Sequence, residues 1–137
     1  MANAIDVQAA KYSDTALLIG RILLGALFLI AAYNKVKGYG GGIGYFGRLG
    51  MPAPDVTYPL TILFELAVGI LLIIGYQTRL AALAIAAFCI ATALIAHTNV
   101  ADGNQFNHLL KNLAVAGGAL ALFAAGPGAQ SLDAKQR

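Results

Sequence analysis

The side chains most able to do chemistry in this sequence are charged residues that interrupt long apolar runs. Glu65 is the only glutamate, and it lies inside one such run, while Arg21 and Lys35 lie in another. A carboxylate in an apolar setting can exchange a proton or accept a hydrogen bond, and a nearby cation can neutralise it or donate to a ligand. These three residues are therefore candidates for a ligand or proton site.

Helical spacing predicts that these charges share an inward stripe. Residues three and four positions apart fall on one face of a helix, and successive steps of four, three, four and three residues lead from Arg21 to Lys35. The pattern predicts that Glu65 lies between these two cations, with Arg21 as its ion-pair partner. The alternative is a structural ion pair that only fixes helix register. The stripes are Arg21, Gly25, Phe28, Ala32 and Lys35 on the first helix and Tyr58, Thr61, Glu65 and Gly69 on the second.

A second polar group surrounds the connection between the last two apolar runs. His97 closes one run and His108 precedes the next, so the two rings are expected to approach each other, with Lys111 and Asn112 nearby. Two histidines could ligate a metal ion, but no third ligand is evident in the sequence. The alternative is that they are interfacial histidines hydrogen-bonded to the loop backbone. Cys89 is the single cysteine, which excludes an internal disulfide and predicts an inert thiol near mid-membrane.

Composition indicates the environment in which these residues act. Hydrophobic residues make up 59% of the 137 residues and charged residues 11%, with a mean hydropathy of +0.74. Soluble domains carry about 25% charged residues, so this chain has too few to cover a surface in water. The nine Lys and Arg residues are scattered, which argues against a nucleic-acid partner and favours the lipid bilayer.

Four apolar runs are long enough to cross a bilayer, which takes about 20 residues. They predict an all-α membrane protein, a single domain over 1–137 built as a four-transmembrane-helix antiparallel bundle. Both termini then share one side, but four Lys and Arg residues fall near each side, so the orientation stays open. The glycine-rich segment 37–57 is expected to be a flexible loop or a short interfacial or re-entrant segment. The predicted spans are about 15–36, 58–76, 80–96 and 109–125.

Small residues in the last two spans suggest how the helices pack. Helices in lipid associate by close approach, which small side chains four positions apart allow. The pairs Ala114–Gly118 and Gly117–Ala121 follow this spacing in the fourth span. They are expected to face the interior of the bundle.

Several motifs together resemble the DoxX family of small bacterial membrane proteins. The resemblance implies a multi-pass, four-helix protein of the bacterial inner membrane. It also implies an association with quinone-linked redox chemistry, because some members are subunits of thiosulfate:quinone oxidoreductase or partner oxidative-stress proteins. Many members have no assigned activity. The matching motifs are Gly20-Arg21-Ile22-Leu23-Leu24, Lys35, Leu49-Gly50-Met51-Pro52, Glu65-Leu66 with Gly69, Thr78-Arg79, His108-Leu109-Leu110-Lys111-Asn112-Leu113-Ala114 with Gly117-Gly118, Gly126-Pro127-Gly128 and Ser131-Leu132-Asp133.

Three functions follow as hypotheses. The first is an accessory or subunit of a quinone-linked redox system, with a quinone headgroup near Glu65, Arg21 and Lys35 and with a membrane or soluble redox partner. The second is a non-catalytic membrane adaptor or assembly factor. The third is a small permease or a proton-conducting homo-oligomer. Whether the chain has catalytic activity of its own is left open, and its candidate site residues are Glu65, Arg21, Lys35, His97, His108, Lys111 and Asn112.

Overall fold

The structure is a computed structural model that describes residues 3–136, and within that range all its regular elements are helices. Four of them, α1, α3, α4 and α5, are long and apolar enough to span a membrane. The expected all-α fold with four spans is therefore confirmed. The helices are α1 (Ala4–Lys37), α2 (Tyr39–Arg48), α3 (Pro54–Ile74), α4 (Thr78–Ala96), α5 (Gly103–Ala125) and α6 (Leu132–Lys135).

Helix α1 begins well before the predicted start near residue 15. The Asn3 side chain accepts a hydrogen bond from the Asp6 backbone, and the Asp6 carboxylate accepts one from the Asn3 backbone, which forms a capping box. Its 34 residues correspond to a length of about 51 Å, whereas the hydrocarbon core is about 30 Å thick. Hydropathy detects only the part in lipid, so the polar, exposed beginning of the helix went unpredicted.

The glycine-rich segment after α1 contains a short helix, α2, that lies on one end of the bundle. Its Ile43 and Phe46 pack against Ala32, Tyr58 and Ile62 of α1 and α3. A side chain at Gly42 would overlap the ring of Tyr58, so glycine allows this close approach. Of the two expectations for this segment, a flexible loop or a short segment lying on the end of the bundle, the structure shows the second.

Small residues bring the spanning helices together in two close pairs. In the first pair a β-carbon at Gly25 of α1 would lie 2.7 Å from the carbonyl oxygen of Gly69 in α3. In the second pair α4 and α5 pack through buried residues that include Ala82, Ala86, Ala116 and Ala119. Backbones can approach this closely only where side chains are small.

The prediction that the small pairs of α5 face the interior is wrong. The residues Ala114, Gly117, Gly118 and Ala121 are all exposed, and a β-carbon at Gly117 or Gly118 would meet no atom within 4 Å. The buried face of α5 is formed by Ala116, Ala119 and Leu122. Apolar residues surround this helix on every side, so its sequence does not distinguish the lipid face from the packed face.

The end of the bundle opposite α2 is closed by residues 126–136, which we call the C-terminal clasp. Arg21 is fully buried there and donates hydrogen bonds to the carbonyls of Leu72 (3.0 Å) and Gln130. The Asp133 carboxylate accepts hydrogen bonds from the backbone of Gln77 (2.8 Å) and Thr78 (2.9 Å) at the start of α4. The clasp therefore ties α1, α3 and α4 together at this end.

The clasp leads to a prediction about topology. The backbone N–H of Ala129 donates to the Asp14 carboxylate at 2.8 Å, so α1 near its start and the clasp lie at the same end of the bundle. Topology reporters fused at the N-terminus and after residue 137 should therefore give the same compartment. Opposite readings would mean that one of the four helices does not span the membrane.

Candidate functional site

A cavity of about 290 Å³ lies in the half of the bundle away from the C-terminal clasp. Helices α1 to α5 all contribute side chains to its walls, and Phe28, Phe46 and Phe88 form much of the apolar part. Among the predicted site residues, those that line the cavity are Lys35, Glu65, His97, His108, Lys111 and Asn112. The structure thus brings six of the seven together in one site.

An ion pair between α1 and α3 forms one wall of the cavity. Lys35 Nζ lies 2.8 Å from Glu65 Oε1, and the two side chains are 27% and 4% exposed. Helix α1 is held in this register by Tyr58, whose hydroxyl donates to the Lys35 carbonyl at 3.1 Å. Lys35 is therefore the cation that neutralises Glu65.

The ion pair leaves the second carboxylate oxygen of Glu65 without a hydrogen-bond partner in the described part of the chain. Glu65 Oε2 is buried and has no hydrogen-bond partner among residues 3–136. A buried acceptor without a partner carries a free-energy cost of about 1–3 kcal/mol, more when it is charged. A ligand that donates a hydrogen bond to this atom would remove that cost.

A polar pair on α4 and α5 lies in another wall. Asn112 Nδ2 donates to Thr92 Oγ1 at 3.2 Å, and the Thr92 hydroxyl donates to the carbonyl of Phe88 at 3.0 Å. Cys89 lies beside them and is buried. Thr92 was not among the predicted site residues, although a hydroxyl in an otherwise apolar helix was a usable signal.

The two histidines meet at the rim of the cavity, as expected. Their ring centroids are 5.1 Å apart and the planes are inclined by 21°, which is a stacked arrangement. His97 Nδ1 lies 2.7 Å from Gln105 Oε1, and Lys111 Nζ lies 3.5 Å from His108 Nδ1. Over the described range 3–136, no group of three or more His, Cys, Asp or Glu residues is placed to hold a metal ion.

Arg21 does not belong to this site, and the predicted Arg21–Glu65 pair is wrong. The arginine contacts the carbonyls of Leu72 and Ile73, seven and eight residues beyond Glu65 on α3. At 1.5 Å per residue it lies roughly 10 Å further along the bundle. The prediction counted the depths of Arg21 and Glu65 from opposite faces of the bilayer. Two shallow depths counted in this way place the residues on opposite sides of the middle of the bundle, so they do not meet.

The cavity combines charge with an apolar wall, which suits the headgroup of an amphiphile. Lys35 and Lys111 are cationic, Glu65 is anionic, and Asn112 and the histidines can donate or accept hydrogen bonds. Ligand sites typically pair a mostly apolar lining with a few polar groups that fix the orientation. At the opposite end of the bundle Arg21 donates to backbone carbonyls through its terminal nitrogens, while its Nε is buried without a partner.

Comparison with known proteins identifies the family of this chain. The DoxX family model matches residues 16–98, which include α2 to α4 and most of α1. Inner membrane protein YqjF of Escherichia coli K12 is 39% identical over 123 residues, which are 90% of this chain and 93% of that protein. Inner membrane protein YphA of the same organism is 34% identical over 133 residues, covering 93% and 94%. No solved structure matches. The chain thus belongs to the DoxX family and is a multi-pass protein of the inner membrane.

Proposed function

We propose that the cavity binds a quinone headgroup and that the protein acts as an accessory or subunit of a quinone-linked redox system. The observation that carries this proposal is the buried, unpartnered Oε2 atom of Glu65 beside the Lys35–Glu65 ion pair, an acceptor to which a hydroxyl of the reduced headgroup, the quinol, would donate. A quinone supplies a ring that takes up electrons and protons. A site for such a ring needs hydrogen-bond donors for its oxygens and a group that exchanges protons.

The residues present fit these needs. Lys35, Lys111 and Asn112 are donors that can hold the ring oxygens, and Glu65 is the proton-exchanging group. His97 and His108 lie on the rim, where their ring nitrogens can donate or accept hydrogen bonds. Phenylalanine side chains in the walls exclude water from the ring. Arg21, which the sequence offered as a further donor, has no part in this proposal.

A membrane adaptor is the second candidate. The observations that favour it are the exposed beginning of α1 and the exposed small residues of α5, which present free surfaces to a partner protein. A permease or a proton-conducting homo-oligomer is the third candidate; in this structure the C-terminal clasp and the buried Arg21 close the bundle at the end away from the cavity.

The quinone proposal predicts a thermal shift. A short-chain quinone analogue should raise the melting temperature of the detergent-solubilised protein, and Glu65→Gln should abolish the rise. Binding at a hundred times the dissociation constant stabilises a protein by about 2.7 kcal/mol, which is measurable. Asp55→Asn makes the same chemical change at an exposed position of α3 and should keep the rise. If saturating analogue leaves the folded wild-type protein unshifted, the adaptor becomes the better reading.

A further inference from the structure

An apolar groove of about 450 Å³ runs along the lipid-facing junction of α1 and α5. We call it the α1–α5 groove. Its walls contain small residues on both helices, and β-carbons at Gly20 and Gly118 would meet no atom within 4 Å. Nothing inside the bundle therefore requires glycine at these two positions. The groove is lined by Ala16, Leu17, Gly20, Leu23 and Leu24 of α1 and Gly118, Ala121, Leu122 and Ala125 of α5.

The groove continues the polar cavity along the same pair of helices. Leu27 of α1 and Val115 of α5 line the cavity. Three residues further from the rim on the same two helices, Leu24 and Gly118 line the groove. Residues three apart on a helix lie on the same face. The cavity and the groove thus lie about one helical turn apart along the same two helices, and we call the two together the α1–α5 seam, which is polar at one end and apolar along the rest.

The seam is about as long as the hydrocarbon core of a bilayer is thick. From Lys35 at the polar end to Ala16 at the apolar end, α1 advances nineteen residues, which is roughly 29 Å. The hydrocarbon core of a bilayer is about 30 Å thick. A molecule with its headgroup beside Lys35 and its tail along the groove would lie parallel to the spanning helices.

We propose that the α1–α5 groove is the binding subsite for the hydrocarbon or isoprenoid tail of the ligand whose headgroup occupies the cavity. This inference rests on the proposed function for the headgroup and adds the tail and its path. The tail leaves the cavity between α1 and α5 because the other walls are formed by packed helices. The open space at Gly20 and Gly118 gives the tail close contact with the two helix backbones.

Two glycines on α5 provide a matched test. Gly118→Leu fills the groove, whereas Gly117→Leu makes the same change one residue away, outside the groove. Each substitution enters open space, so both variants should fold. Dissociation constants are measured in one detergent for two benzoquinone analogues, one with a ten-carbon tail and one without a tail.

The expected result is a selective loss. Gly118→Leu should weaken binding of the tailed analogue at least about tenfold relative to Gly117→Leu, which is about 1.4 kcal/mol, because the added side chain takes the space that the tail would occupy. The tailless analogue should bind wild type and both variants equally.

Other outcomes separate this inference from the proposed function. If both variants bind the tailed analogue equally well, or Gly118→Leu weakens both analogues alike, the groove does not hold the tail, although the headgroup site stands. If wild type binds neither analogue, the quinone proposal itself fails. If Gly118→Leu changes only the oligomeric mass in detergent, a second copy of the chain covers the groove and the inference is overturned.

Discussion

Lys35→Met should lower the stability of the purified protein by about 3–5 kcal/mol, the usual loss when one partner of a buried ion pair is removed. The reason is that Glu65 is only 4% exposed and Lys35 is its ion-pair partner. Methionine retains much of the apolar stem of lysine, so the loss reports the charge. Glu65→Gln should cost less, since Lys35 is 27% exposed and its ammonium can reach water. Denaturant or thermal unfolding in detergent measures both effects.

The double variant makes this prediction specific to the pair. Lys35→Met combined with Glu65→Gln leaves neither charge alone, so its loss should be smaller than the sum of the two single losses. Lys37→Met removes an exposed lysine at the same end of α1 and should change the stability by less than about 0.5 kcal/mol. Additive single losses in the cycle would mean that Lys35 and Glu65 are not energetically coupled.

Arg21→Met should produce the second large loss, about 3–5 kcal/mol, at the other end of the bundle. The substitution removes the guanidinium donors to the carbonyls of Leu72, Ile73 and Gln130, of which the Leu72 carbonyl keeps a hydrogen bond from the Gly75 N–H at 3.2 Å. Each hydrogen bond from a charged donor contributes about 1.5–3 kcal/mol. The C-terminal clasp should also be held less firmly, because it loses the Gln130 contact with α1, while the hydrogen bonds of Ala129 with Asp14 and of Asp133 with Gln77 and Thr78 remain.

Limited proteolysis with mass spectrometry tests the second part, since residues from 126 onward should be cleaved faster in Arg21→Met. Arg79→Met is the matched control: Arg79 also donates to backbone carbonyls, those of Phe123 and Ala124, but it is exposed. That variant should lose far less stability, because water can replace its hydrogen bonds. A clasp that stays protected in Arg21→Met would show that this residue does not hold it.

The inward stripes were predictable because helical periodicity determines which residues share a face. Arg21, Gly25, Phe28 and Ala32 are the buried residues of α1, as the spacing indicated. Spacing along one helix does not, however, give its register against a neighbour. That register depends on the contact between Gly25 and Gly69, and it selects Lys35 rather than Arg21 as the partner of Glu65.

Other features escaped prediction because their partners are distant in the chain. Asp133 caps the start of α4 from the C-terminal clasp, and no local pattern indicates such a contact. The helical form of α2 depends on packing of Ile43 and Phe46 against α1 and α3, which outweighs the low helix propensity of its glycines. By contrast, the rim histidines were predictable, since each lies beside the same short connection.

The hydrogen bonds of Arg21 also bear on how the chain is made. Its acceptors lie 51, 52 and 109 residues later in the sequence. Synthesis proceeds from the N-terminus, so the guanidinium is inserted with α1 long before the ribosome has added Gln130. Until α3 is made, Arg21 must keep water, lipid headgroups or the insertion machinery as its partners, and until Gln130 is made only the Leu72 and Ile73 carbonyls can replace them. Docking of the C-terminal clasp thus supplies the third acceptor of Arg21, and a nascent chain that stops short of Gln130 lacks it.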